Sequence, residues 1–328
     1  IAVIEKPSVE TRETATVPQE VTITEPLEPQ MSLKDAFDYS LTLKIKVVND
    51  RTLKEYQNRV DNFLKWLREK HPLIKTTDQL TKKLIMLFLN ETLIRTGPRQ
   101  RNNYRTDLGS LMQTLEDNEI IAMNFMKKIP VLKTNPERNK TYTLEKQEEI
   151  FSYLEKVDPI LLLYIKFISY NFLRPIEVCR LRVKDINLKN NTLQFKAKNS
   201  PLKTKIIPSM LVDDLPDLSK LNGDDFLFTP TAIGGSWEAT ETNRRDNFSK
   251  RYLDVVKKHF KLDKNYGLYS FRHTYITRLY RKMVKDSSPF AAKSELMVIT
   301  GHTSMAALEK YLRDIDAELP EDYSHHLQ

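Results

Sequence analysis

Three clusters in the C-terminal half of the sequence hold side chains suited to work on a phosphodiester. They are Arg174-Pro-Ile-Glu177, then Tyr269-Ser-Phe-Arg272-His273-Thr274, then Gly301-His302-Thr303 with Tyr311 nine residues after the histidine. Breaking a phosphodiester without a metal calls for a nucleophile, an acid for the departing oxygen, and fixed cations or donors around the pentavalent phosphorus. Tyrosine can supply the first. Arginine suits the last, because its planar fork makes two charge-assisted bonds to phosphate oxygens and stays protonated at any relevant pH. Taken singly, each residue has a plainer reading. Tyr311 is one of 14 tyrosines and would pass for helix packing, His302 for a loop or cap residue, and either arginine for a surface ion-pair partner. Order and spacing, with a lysine-bearing hairpin between the clusters, set them apart.

Read in order, Arg-x-x-Glu, a hairpin lysine, x-x-x-Arg-His, Gly-His and Tyr resemble the catalytic signature of the tyrosine recombinases, the phage integrase family, over roughly Ser32 to Tyr311. The stretch Arg99-Gln-Arg-Asn-Asn-Tyr-Arg-Thr-Asp-Leu108 is similar to part of that family's core-binding domain. The resemblance implies that Tyr311 attacks the scissile phosphate, that Arg174 and Arg272 clamp it, and that His302 bonds a non-bridging oxygen or assists proton transfer. Glu177 would position Arg174. Lys198 is the choice for the lysine that protonates the departing 5′ oxygen, with Lys196 and Lys203 as open alternatives. Arg99, Arg101, Asn102 and Arg105 would grip DNA.

The same resemblance implies a two-domain DNA clamp and a homotetramer on double-stranded recombination sites. Each strand would be cut and rejoined through a 3′-phosphotyrosyl link, for integration or excision of a mobile element. Host architectural or excision accessory proteins are further partners to expect, and no cofactor or metal is implied, since the phosphotyrosyl ester keeps the bond energy. Two other readings are a type IB topoisomerase and a catalytically idle DNA-binding relative. Three positions depart from the family pattern. Tyr269 stands where His or Lys is usual, and a phenol donates to phosphate but is a poor base near neutrality. Phe172 replaces a common Gly, which reads as a packing variation, and Arg281 to Ser294 reads as an extra surface turn.

These residues need elements to hold them. Leu53, Tyr56, Val60, Phe63, Leu64 and Leu67 recur at spacings of three and four, one apolar helix face. Further helices are expected before Val47, over Thr81 to Arg95, and from Gly97-Pro98 to about Asp117. A proline-bounded linker follows at Pro130 to Pro136. Thr143 is placed to cap helical material running from Ile150 to Tyr170, and Pro175 suits a first helical turn. After Asn190-Asn191 the period shifts to two, with Leu193 and Phe195 alternating with polar residues, and Ile206-Ile207-Pro208 closes a β-hairpin. Helices are then expected over Asn243 to His259, Tyr269 to Met283, Ala291 to Ile299 and Ser304 to Leu312. The fold class is mainly α with a small β-hairpin. Residues 1–30 should be an acidic, Pro- and Thr-rich disordered tail, 31–136 a helical core-binding domain and 137–328 the catalytic domain.

Composition agrees with that division. The 328 residues, 40% apolar, are long enough for two cores. Lys and Arg number 52 against 44 Asp and Glu, net +8. Residues 1–30 carry six Glu against Lys6 and Arg12, a net of −4, which leaves +12 on the rest. A basic body suits a polyanion, since each neutralised phosphate releases counterions. Cys179, the only cysteine, excludes an internal disulfide and a cysteine-based zinc site. A cytoplasmic, nucleoid-associated protein is expected, with no membrane partner, because apolar runs such as Ile160 to Ile165 are far shorter than the roughly 20 residues of a span. The acidic start is ill suited to gripping DNA arms, so an arm-binding domain is either absent or upstream of Ile1. His325-His326 is too short for a metal site.

Overall fold

The computed structural model describes residues 31–134, 139–196 and 202–312. The chain divides after Asn135 into two compact units. In the first unit three of the four α-helices start where a side chain can satisfy the free amides of the opening turn. Ser32 accepts from Asp35 N to open α1 (Leu33–Lys44), Asn49 from Thr52 N to open α2 (Asp50–Lys70), and Thr81 from Leu84 N to open α3 (Lys82–Thr96). Gly97, at φ +98°, ends α3 in a conformation closed to most residues, and Pro98 opens α4 (Pro98–Asp117). The apolar face of α2 is buried as its spacing requires. Phe63 packs edge-on to Phe88 at 4.9 Å, and Phe88 edge-on to Tyr104 of α4 at 5.2 Å.

The second unit begins with α5 (Leu144–Val157), capped by Thr143. Helix was expected to continue to Tyr170, but it breaks at Asp158, which the following Pro159 excludes from helical geometry. Asp158 then caps α6 (Pro159–Tyr170) through Leu161 N at 3.0 Å and takes both arms of Arg251 at 2.5 and 2.6 Å. Helix α6 is almost entirely buried and forms the centre of the core, where Tyr164 stacks on Phe248 at 4.1 Å. After α7 (Pro175–Val178) come β1 (Ile186–Asn187), β2 (Thr192–Lys196) and β3 (Leu202–Ile206), an antiparallel sheet in that order. Leu193 pairs with Lys205 and Phe195 with Lys203.

The short helix α8 (Ser209–Val212) leads to a second small sheet, β4 (Phe226–Phe228) against β5 (Ile233–Gly235), which the sequence did not suggest. Helix α9 (Glu241–Tyr252) gives way at Leu253–Lys257 to a π-helical turn rather than running on to His259. The last helices are α10 (Leu268–Asp286), α11 (Pro289–Thr300) and α12 (Met305–Glu309). The extra surface turn expected over Arg281 to Ser294 is not there. That stretch is the end of α10 and the start of α11, with Ser288 capping α11 through Ala291 N at 3.3 Å. A small apolar cluster of Phe172, Ile276, Tyr280, Leu296 and Leu308 joins these helices. The protein is therefore mainly α with small antiparallel sheets. Among the described residues no helix is long and apolar enough to cross a membrane.

Candidate active site

Arg174 is held from two sides by one carboxylate. Glu177, 1% exposed, accepts from the Arg174 backbone N at 2.7 Å and from its Nη1 at 2.8 Å, which fixes the arginine at the start of α7. Phe172, two residues earlier, has φ +53°. The preference for glycine there is thus one of backbone conformation, and packing is only the compensation. A left-handed non-glycine residue costs about 1–2 kcal/mol, set against burial of the Phe172 ring in the cluster beneath the site.

Arg272 lies on α10, one turn in, and is 1% exposed. Among the described residues its Nε and Nη1 are buried with no hydrogen-bond partner. Its Nη2 lies 3.4 Å from His302 Nε2, and its guanidinium carbon 5.2 Å from the centre of the Tyr311 ring. A buried cation with unused donors is costly unless an anion completes it. Three residues earlier on α10, the Tyr269 phenol is pushed up to about 12, first by burial and then by Tyr311, with Arg174 and Arg272 opposing.

His302 enters from the end of α11. Gly301, at φ +76°, terminates that helix, and His302 N closes the turn on Met297 O at 3.1 Å. The imidazole is driven down to about 3 by burial, then by Arg272, Arg174, Lys205 and Lys203, so it is neutral. Tyr311 follows α12 in a turn closed by its own N donating to Leu308 O at 2.8 Å, and Thr277 Oγ1 donates to the Tyr311 carbonyl at 3.4 Å. The Tyr311 ring sits between two imidazoles. His273 stacks at 4.4 Å and His302 is tilted at 4.9 Å.

Lys198 lies outside the described residues. Lys196 is exposed at the end of β2, while Lys203 Nζ reaches the Gly301 carbonyl at 3.4 Å. One lysine escaped the sequence reading. Lys205 Nζ donates to the Asn171 carbonyl at 2.8 Å, and its Cε stands 3.4 Å from where a Cβ on Gly301 would be. Burial, and then Arg272 and Arg174, lower its ammonium to about 7. Strand alternation was the available signal, since Lys203 and Lys205 share the half-buried face of β3.

In the first unit the proposed DNA contacts separate. Arg99 is exposed at the start of α4. Arg101 is not on the surface. It is 2% exposed and donates from Nη1 to the Pro130 carbonyl at 2.6 Å. Asn102 Nδ2 donates to Leu132 O at 2.7 Å, and Arg105 Nε to the Ile129 carbonyl. These side chains moor the segment after α4 to the helix. Among the described residues no group of three or more His, Cys, Asp or Glu is placed to hold a metal. A cleft of about 460 Å³ beside Tyr269 is lined by Arg245, Ser249, Lys257 and Tyr266.

Solved structures share this architecture. A lambda integrase tetramer bound to a Holliday junction superposes with a TM-score of 0.70 at 15% identity, over 92% of this chain and 84% of that one. A lambda integrase dimer bound to a COC′ core site gives 0.68 at 16% identity, over 89% and 80%. The fold is that of the tyrosine recombinases. The Tn1549 transposon integrase in complex with a circular intermediate DNA matches at 0.65 and 14% identity, over 89% of this chain and 97% of that one. No protein-family model matches the sequence, and no curated relative does. Within the tyrosine-recombinase fold, Arg174, Tyr269, Arg272, His302 and Tyr311 come together from α7, α10, the end of α11 and the turn after α12.

Proposed function

We propose that this protein is a site-specific DNA recombinase of the integrase type, cutting and rejoining strands through a 3′-phosphotyrosyl link at Tyr311. The observation that carries the reading is Arg272, a buried guanidinium whose Nε and Nη1 have no partner among the described residues, 5.2 Å from the Tyr311 ring. A scissile phosphate would complete it. Arg174, braced by Glu177, is the second clamp, and Tyr269, which keeps its proton, donates to a non-bridging oxygen. Tyr311 Oη forms the bond to phosphorus as the bond to the 5′ oxygen breaks. A lysine proton, assigned to Lys198, goes to that oxygen, and Lys205, held on the Asn171 carbonyl, lines the same site. In the second step a free 5′ hydroxyl attacks the phosphotyrosyl ester and restores the tyrosine.

In this reading residues 31–136 form the core-binding domain, with Arg99 as its exposed contact, and residues 137–328 the catalytic domain. The cleft beside Tyr269, with Arg245 and Lys257, suits phosphates flanking the cut. Four protomers join two duplexes, as in the lambda integrase tetramer on its junction, acting on nucleoid DNA to move a genetic element. The test is to incubate the protein with nicked duplexes randomised at the centre, then recover detergent-resistant adducts and sequence them. Adducts converging on one sequence support a site-specific recombinase. Adducts without sequence preference point to a topoisomerase, and binding with no adduct to an idle relative.

A further inference from the structure

His302 is wired to its own helix. Thr300 Oγ1 donates to Leu296 O at 2.6 Å, the bond a threonine makes to the carbonyl four residues back. The same oxygen lies 2.6 Å from His302 Nδ1. A hydroxyl has one proton, and here it is spent on the carbonyl. The Thr300 oxygen can therefore only accept from the ring, which puts the imidazole proton on Nδ1. The other side of the ring agrees, because Arg272 Nη2, which can only donate, faces Nε2 at 3.4 Å. Thr300 is 3% exposed, so water does not compete for these bonds.

We propose that Thr300 is a positioning residue that fixes His302 as the Nδ1–H tautomer, making Nε2 the acceptor of the Tyr311 proton rather than a donor to phosphate. This rests on the recombinase reading above. As Tyr311 Oη bonds to phosphorus its proton passes to Nε2; the bond to the 5′ oxygen breaks, that oxygen takes the lysine proton, and religation reverses both transfers. Tyr269 cannot serve instead, since it holds its own proton. In the DNA-free site the cations facing His302, namely Arg272, Arg174, Lys205 and Lys203, oppose its protonation. A phosphate seated among them offsets that charge, and the pentavalent state, with a second negative charge, offsets it further. Basicity at Nε2 thus rises as the tyrosine proton leaves.

Two measurements test this. Nitrogen-15 NMR of the DNA-free protein near neutral pH, with His302→Gln to assign the signal, should show a pyrrole-type Nδ1 and a pyridine-type Nε2. Thr300→Ser, which keeps the hydroxyl, should preserve that pattern, and the isosteric Thr300→Val should lose it. An Nε2–H ring in the wild type, or an unchanged ring in Thr300→Val, overturns the tautomer assignment. On a duplex recovered from the randomised pool, Thr300→Val should slow adduct formation about ten-fold or more, part of the 10²–10⁴ typical of a positioned base. Its rate should rise with pH where the wild type is flat between about 6 and 8, and Thr300→Ser should restore the wild-type profile. Equal rates and profiles for wild type and Thr300→Val overturn the acceptor role. No adduct from the wild type overturns the recombinase reading and the acceptor role with it, while the NMR result still decides the tautomer.

Discussion

The guanidinium of Arg272 lies 5.2 Å from the centre of the Tyr311 ring, with two of its nitrogens buried and unpartnered among the described residues. That relationship sets folding against function. Desolvating an arginine without completing its hydrogen bonds destabilises the free protein, while under the proposed function the same donors would stabilise negative charge arriving on a phosphate. Arg272→Met, similar in volume and apolar, should raise stability by about 1 kcal/mol or more and reduce adduct formation by about two orders of magnitude or more. Arg272→Lys should not recover the rate, because a point charge cannot replace a fork. Urea unfolding with the adduct assay reads both; a Met variant less stable than the wild type would contradict the account.

The hairpin lysines can be told apart by leaving-group chemistry. Lys198→Ala should slow cleavage of an ordinary phosphodiester severely and recover on DNA with a bridging 5′-phosphorothiolate, whose sulfur leaves without a proton. Lys205→Ala should slow both substrates alike, as expected of a group whose ammonium is engaged by the Asn171 carbonyl rather than by the departing oxygen. Lys196→Ala and Lys203→Ala should show no selective rescue. Rescue of Lys205→Ala alone would transfer the acid role to Lys205.

Much of this architecture is legible in the sequence because it is local. Asn49, Thr81 and Gly97-Pro98 mark helix boundaries through single-turn capping chemistry, and the spacing within α2 follows from one buried face. The order of Arg174, Arg272, His302 and Tyr311 is read along the chain without knowledge of the fold. Non-local facts were hidden. Strands β4 and β5 span three residues each, too few for alternation to register. Arg101 reads like any surface arginine until the chain folds back at Pro130 to accept its hydrogen bond. Lys205 becomes a site residue only through the register of β2 and β3 and the close approach of Gly301.

Lys205 should also leave a mark on stability. Its ammonium falls from 10.5 to about 7 on folding, mainly through burial. Between those values the unfolded chain binds more protons, so the wild type should gain stability as pH rises from about 7 toward 10. Lys205→Met removes that titration. The difference in urea midpoint between the two proteins should therefore move in favour of the wild type from pH 7 to pH 9.5, and parallel pH curves would count against the buried position of Lys205.

The joint between α5 and α6 offers a test of the fold apart from catalysis. Asp158, 5% exposed, caps α6 and takes both arms of Arg251. Asp158→Ala removes the cap and leaves Arg251 Nε and Nη2 without their carboxylate, with Nη1 still on the Pro230 carbonyl, for a loss of about 3 kcal/mol. Asp158→Asn keeps the cap but weakens the pair, and should fall between. A loss under about 1 kcal/mol in the Ala variant would mean that Arg251 finds another partner.

Assignment of Tyr311 as nucleophile is decided by identifying the residue that carries DNA. Wild-type adduct from the randomised nicked duplexes is digested with protease and nuclease, and the nucleotide-bearing peptide is sequenced by mass spectrometry. A single modified peptide with the nucleotide on Tyr311 is expected, and no adduct from Tyr311→Phe although that variant still binds the duplex. A nucleotide on Tyr269, or adduct formation by Tyr311→Phe at the wild-type rate, would contradict the assignment.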